Sequence, residues 1–503
     1  MQRNELAHAL ATAVTRTYSS LPPNGKPSPR SNGLPQSTVL AGVCVYRDPH
    51  HVVCVSLGTG LKALPHANLP VHGDVLHDSH AEIITKRGFR LWIYAQIDRA
   101  LSGDDEAYLV RAEDGWSIRT GWEVGLWVST LPCQFYPTWP LDRARIDDCD
   151  TPEAGGDAST YALSLASPSS SSSTPDLVLP SPSLHPSLVQ AASLGLITSR
   201  SPSPSPSPTP TPTPAAAAAA LARVHRGRTS YTSLNTLRTK PGRADSRPTT
   251  AHACSDKLAL WALVGLQGAL LSTLRVEPVR LACVAVGGIK GDEAYRERVA
   301  REVTRAVGGR LEGWEGPAGE RVAVPRVELV EEGGVEFEHS REVVARVCGV
   351  DEDEVLSCQE SLSWVEGLGT EVITNGIRQG ASSKRKPGEP LGPKARSRLS
   401  KLSLFQRHLE LEQRILSSSP SSSSSSTGPS SSTGLREATT YFSTKHDAAS
   451  SSARAYQDLK AAVRATTEEA AGPFAGWLVS GEEWESFDAH GRVSVGGRCG
   501  GGR

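Results

Sequence analysis

Residues 77–97 read HDSHAEIITKRGFRLWIYAQI. His80 and Glu82 stand two apart where a helix opens, which lets an imidazole meet a metal with a carboxylate beside it. Ile84, Gly88, Leu91 and Ala95 carry that helix onward at three- and four-residue spacing. Upstream, TVLAGVCVY and HVVCVSLGTG are valine-rich, bounded by turn residues, and read as two adjacent strands. Downstream, GWEVGLWVSTLPC reads as a strand ending at Cys133. Two strands, a helix opening at His80 and a strand ending at a cysteine imply an α/β domain with both side chains at one sheet edge.

A second cysteine, Cys254, opens ACSDKLALWALVGLQGALLS, expected as one continuous helix. One His and two Cys make three zinc ligands, leaving the fourth tetrahedral position for water. The order H-x-E…P-C is the zinc deaminase signature, in which the Glu is not a ligand. HAE, Pro-Cys and a Cys before a helix are each commonplace alone, and the bland reading of each is ordinary structure. Together, in this order and these contexts, they indicate a hydrolytic metal site.

The composition bounds the rest. The 503 residues include 35 prolines and long serine runs, and hydrophobic residues are 38%. The part able to order is roughly 350 to 400 residues, ample for a large core. SPSSSSSTP, SPSPSPSPTPTPTP and the alanine run between 165 and 222, and a serine tract at 417–434, cannot bury enough apolar surface to fold. Net charge is −1, so no global excess points to nucleic acid, but 222–247 carry seven Lys/Arg against one acid and 378–401 eight against one. Such stretches are usually solvated loops, and they also suit phosphate contact. Nine cysteines form no even framework, and neither a signal-peptide core nor a membrane-length apolar run is present. These features imply a reduced intracellular protein of nucleus or cytoplasm, with no membrane and no required protein partner. The remaining elements expected are a helix over 4–18, a strand at VRLACVAVGG, a polar helix at 293–306 and helical character around Ala453–Ala471. The domains read as an N-terminal helix and loop (1–36), a first catalytic part (37–164), the Ser/Pro/Ala insertion (165–222), a second catalytic part (223–490) and a tail (491–503).

With GTGLKALP, HAEII, LRTKPGRADS, CSDKLALWALVGLQGALLS and SWVEGLGTEVITNGIRQG on the page, the chain resembles the adenosine deaminases that act on RNA, in particular their tRNA-specific branch of fungal type. CSDK-x-x-x-W-x-x-x-G-x-Q-G is specific to that family. The resemblance implies a cytidine-deaminase-like, three-layer α/β/α domain with extra C-terminal helices. It implies zinc on His80, Cys133 and Cys254, and Glu82 moving protons while water replaces the adenine amino group. The product is inosine, and the usual target is position 37 of alanine tRNA. A base in a duplex is out of reach, so the target must be unstacked or looped. The resemblance also implies inositol hexakisphosphate enclosed in the core by Lys86, Arg87, Lys257, Trp261, Gln267, Lys401, Tyr441, Lys445, Tyr456 and Lys460. Lys257 has a residue-level argument too. Its helix is apolar on nearly every face and has no acid after Asp256, so a buried ammonium there needs an anion from elsewhere. Snorkelling, or pairing with a distant acid, is the plainer alternative. Thr59 and Lys62 match a loop that touches the flipped nucleotide in related enzymes, and Arg238, Lys240 and Arg243 are expected to grip substrate phosphates.

The chain departs from the family's PCGDAS. After Cys133 it continues QFYPTWP, and Gly156-Asp157-Ala158-Ser159 resumes the pattern 22 residues late. Either 134–155 is a true loop or it is a translated intron; the second fits better, because an insertion directly after a ligand disturbs its support. A duplex-RNA editase is a poorer match, since only 37 residues precede TVLAGV and a double-stranded-RNA-binding module runs to roughly 65–70. A catalytically impaired RNA-binding homologue is the rival from another class.

Overall fold

The computed structural model describes residues 3–132, 224–226, 236–240, 246–247, 249–319, 323–330, 333–418, 439–466 and 471–493. Cys133, Arg243, the 134–155 segment, the 165–222 insertion and most of the 417–434 tract lie outside them.

The strands used below are β1 (Leu40–Asp48), β2 (His51–Thr59), β3 (Leu61–Ala63), β4 (Asp78–His80), β5 (Glu123–Val128), β6 (Leu237–Thr239), β7 (Cys283–Val286), β8 (Arg326–Leu329), β9 (Glu360–Val365), β10 (Gly369–Thr374) and β11 (Ile377–Arg378). Eight of them form one mixed sheet in the order β8-β7-β5-β1-β2-β9-β10-β11. β5, β7 and β8 run parallel, and the remaining pairings are antiparallel. The two valine-rich segments are the β1–β2 hairpin, as expected. Alternation along each strand supplies two apolar faces. On one face α1 (Arg3–Ser20) lays Leu6, Leu10 and Val14 over Cys44, Leu57 and Trp127. On the other, α2 (Ala81–Leu101), α3 (Cys254–Val264) and α5 (Glu293–Gly308) press Ile84, Leu258 and Val299 onto Val43, Val55 and Val128. The architecture is therefore the layered α/β one. Further helices are α4 (Gly268–Thr273), α6 (Arg341–Cys348), α7 (Lys401–Ser417), α8 (Tyr441–Lys445) and α9 (Ser451–Arg464). No helix among the described residues is long and apolar enough to cross a membrane.

Three expectations are corrected. The strand aimed at Cys133 stops at Val128, where the ladder closes on Ala41 and the Ser129 hydroxyl accepts the Leu40 N–H at 3.0 Å. Helical structure expected through Ala471 ends at Arg464. The helix from Cys254 is also not continuous: it breaks after Val264, and α4 starts afresh at Gly268. Gly265 and Gly268 take φ of 81° and 73°, and Gln267 bridges the break. Its amide nitrogen donates to the Val264 carbonyl and its oxygen accepts the Val279 N–H, each at 3.0 Å. A Cβ on Gly268 would lie 2.2 Å from the Arg90 guanidinium. Gly268→Ala therefore combines left-handed strain of about 1–2 kcal/mol with displacement of Arg90. We expect a lower thermal midpoint for that variant, and an unchanged one would contradict this account.

Candidate active site

His80 ends β4 and is the N-cap of α2; Cys254 is the first residue of α3. Helix N-termini favour negative charge, and so favour a thiolate at Cys254. Glu82 lies in the first turn of α2 and is only 3% exposed. β3 pairs with β4, setting Leu61 opposite His80 and Lys62 opposite Ser79. Thus the GTGLK loop runs beside the candidate ligand.

Asp78 is the hub of this region, and nothing in the sequence reading assigned it a role. Its carboxylate meets His80 Nδ1 at 2.8 Å, Lys240 Nζ at 3.1 Å and Lys257 Nζ at 2.5 Å. Burial alone would raise its pKa, but the two ammonium groups and His80 hold the carboxyl well below the usual range. A carboxylate on Nδ1 leaves Nε2 as the lone-pair nitrogen. His80 Nε2 is buried and has no hydrogen-bond partner, a state that costs about 1–3 kcal/mol unless something binds there. The buried Cys254 Sγ lies 3.2 Å from Lys240 Nζ. One ammonium thus touches both Asp78 and Cys254, tying the two candidate ligands into one cluster. An orphaned imidazole nitrogen and a buried sulfur, linked through Asp78 and Lys240, are donors that fit a zinc ion. Among the described residues no three His, Cys, Asp or Glu side chains group as ligands, the third candidate, Cys133, lying outside them.

The expected substrate contacts fare differently. Lys240 is 1% exposed and committed to Asp78 and Cys254, so it does not grip phosphate. Arg238 is also buried, because its strand, β6, hydrogen-bonds to the segment leading into Cys254: Ala253 N–H donates to the Arg238 carbonyl at 2.9 Å. Thr59 is buried and its hydroxyl accepts the Leu362 N–H at 3.0 Å, a structural role rather than a nucleotide contact. Lys62 is partly exposed on β3.

Beside α2 lies a cavity lined by Arg87, Arg90, Lys401, Lys445, Lys460, Tyr94, Tyr441, Tyr456 and Gln267. Seven of the ten residues expected around a polyphosphate are in that lining. Lys257 is not in it; its Nζ meets Asp78, the distant acid of the plainer reading. Lys86 and Trp261 are not in the lining either; they stack on each other, with Nζ 4.1 Å from the ring centroid. Glu485 is the acid that meets Lys401, at 2.9 Å, and Lys445. Burial, then the nearby Lys445 and Arg464, push Lys460 well below an ordinary lysine. Burial likewise lowers Lys401 despite Glu485, and brings Arg87 down to about 10. Crowded, desolvated cations of this kind call for a polyanion. Arg90 and Tyr94 were missed, although with Arg87 they follow three- and four-residue steps along one face of α2.

A family model described as the adenosine-deaminase (editase) domain matches residues 56–479. The chain is 28% identical over 522 residues to tRNA-specific adenosine deaminase 1 of Mus musculus, covering 93% of this chain and 96% of that protein. It is 25% identical over 299 residues to the protein of the same name in Saccharomyces cerevisiae, covering 58% and 61% of the two chains. Double-stranded RNA-specific editase Adar of Drosophila melanogaster is 25% identical over 278 residues, covering 54% of this chain and 32% of its own.

Proposed function

The chain belongs to the adenosine-deaminase (editase) family and is an adenosine deaminase; from that premise we propose that its substrate is tRNA, with position 37 of alanine tRNA the leading target. The observation that carries the tRNA reading is the near end-to-end match to a protein whose name is tRNA-specific. Zinc held by His80, Cys133 and Cys254 would supply a Lewis acid that makes water acidic near neutral pH. Asp78 fixes the His80 tautomer, and Lys240 balances the negative charge of Cys254. Glu82 takes a proton from the attacking water and hands it to the ring nitrogen, then takes the remaining proton from that oxygen and gives it to the amino group, which departs as ammonia. Adenosine and water thereby become inosine and ammonia.

The same proposal places inositol hexakisphosphate in the cavity beside α2, where Arg87, Lys401, Lys445 and Lys460 would neutralise it. Denatured pure protein should release phosphorus at the stoichiometry of that compound; phosphorus-free protein that is folded and active would remove it from the proposal. The function itself is tested by incubating purified protein with alanine tRNA and, separately, with a perfect RNA duplex, then scoring inosine. Inosine beside the anticodon is the expected result. Conversion of the duplex alone overturns the tRNA reading.

A further inference from the structure

The eight cations between 378 and 401 do not act as one patch. Arg396 is buried, Arg398 donates to the carbonyls of Leu368 and Gly369 at 2.7 Å each, and Lys401 turns inward to Glu485. Arg378, Lys384, Arg385, Lys386 and Lys394 remain exposed. The acid within their segment, Glu389, sits 4.0 Å from Lys386 with both side chains more than half exposed, a contact that neutralises little.

This cationic loop is anchored to the segment that delivers His80. Asp74, whose side chain is fully buried, accepts the Leu391 N–H at 2.6 Å and lies 3.5 Å from the Arg385 guanidinium. Val75 packs with Leu391 and Ala395, and Leu76 N–H donates to the Gly376 carbonyl at 2.9 Å. Arg378 N–H closes the loop on the Ala395 carbonyl at 2.9 Å. Residues 74–76 run directly into β4, whose last residue is His80. Charge presented from a loop held at both ends, and held by the strand-lead of the catalytic histidine, is positioned relative to the reacting centre. A nuclear import signal, by contrast, needs a segment that can detach and extend.

We propose that residues 378–394 form a phosphate-gripping arm that binds the sugar–phosphate backbone of the RNA substrate outside the reacting nucleotide, a proposal that rests on the tRNA reading above. Lys384, Lys386 and Lys394 supply the charge, and Asp74 sets where the arm stands. The arm reads backbone rather than sequence, since its cations stand exposed on a loop and act on phosphate through charge.

The test compares wild type with Lys384→Ala/Lys386→Ala/Lys394→Ala on full-length alanine tRNA, measuring Kd and KM across a salt series. Each lost phosphate contact lowers the slope of log affinity against log salt by about one. The triple variant should therefore bind with a slope smaller by about two to three, with KM raised about tenfold or more near physiological salt. Restoring the charge as Lys384→Arg/Lys386→Arg/Lys394→Arg should recover both, which a structural role would not require. Wild type that converts tRNA, with a triple variant of equal KM and equal slope, overturns the arm and leaves the tRNA reading standing. Equal tRNA binding with lost nuclear accumulation also overturns it, reassigning the loop to an import receptor. Wild type that neither binds nor converts any tRNA overturns both readings.

Discussion

Glu82→Gln is expected to slow inosine formation by about a thousandfold, within the range general acid–base groups contribute. The substitution keeps the size and the hydrogen-bonding shape of a side chain that is almost wholly buried in the first turn of α2. It removes the group able to accept a proton from water and return it to the base. Tertiary structure and tRNA affinity should persist, because Glu82 holds no part of the sheet and no part of the cationic loop. Single-turnover conversion at saturating enzyme separates this from a binding defect. A variant within about tenfold of wild type would exclude Glu82 as the proton carrier.

Asp78→Asn should produce the largest loss of stability among single substitutions at the site. Asp78 compensates Lys240 and Lys257 and orients His80, all within 3.1 Å. Removing one partner of a buried ion pair costs about 3–5 kcal/mol, because the other charge is left without compensation. Loss of the carboxylate behind a ligating histidine lowers metal affinity about 10- to 100-fold. Thermal melting and zinc retention against a chelator should both report the change. Asp78→Asn/Lys257→Met should recover part of the stability but little of the zinc retention, since His80 remains unsupported. A single variant that melts with wild type would show that water, rather than Asp78, screens the two lysines.

The Asp78 cluster also marks how far the sequence could be read. HAE, the Cys254 helix and the valine-rich hairpin were legible because their signals are local: helical spacing, alternation and a cap. The break at Gly265–Gly268 was not, since an apolar run with two glycines is compatible with one helix until Gln267 is seen bonding Val264 and Val279 across the gap. The partner of Lys257 was hidden for a related reason. The lysine's own helix contains no later acid, and the acid that answers it lies 179 positions away. Lys240 looked like a member of a basic surface loop, yet it reaches Asp78 across 162 positions and is buried.

Chain order and side-chain chemistry were therefore enough to establish a layered α/β deaminase and to nominate its ligands, because helix, strand and ligand type are written in neighbouring residues. Which cation meets which anion was settled only by folding. Charges separated by more than a hundred residues are brought within 3 or 4 Å by the packing of α3 and β6 against β4. At that range, and away from water, electrostatic energy depends on position far more than on composition. The same physics divides the eight cations of 378–401 into those that line a cavity or brace the sheet and those left facing solvent.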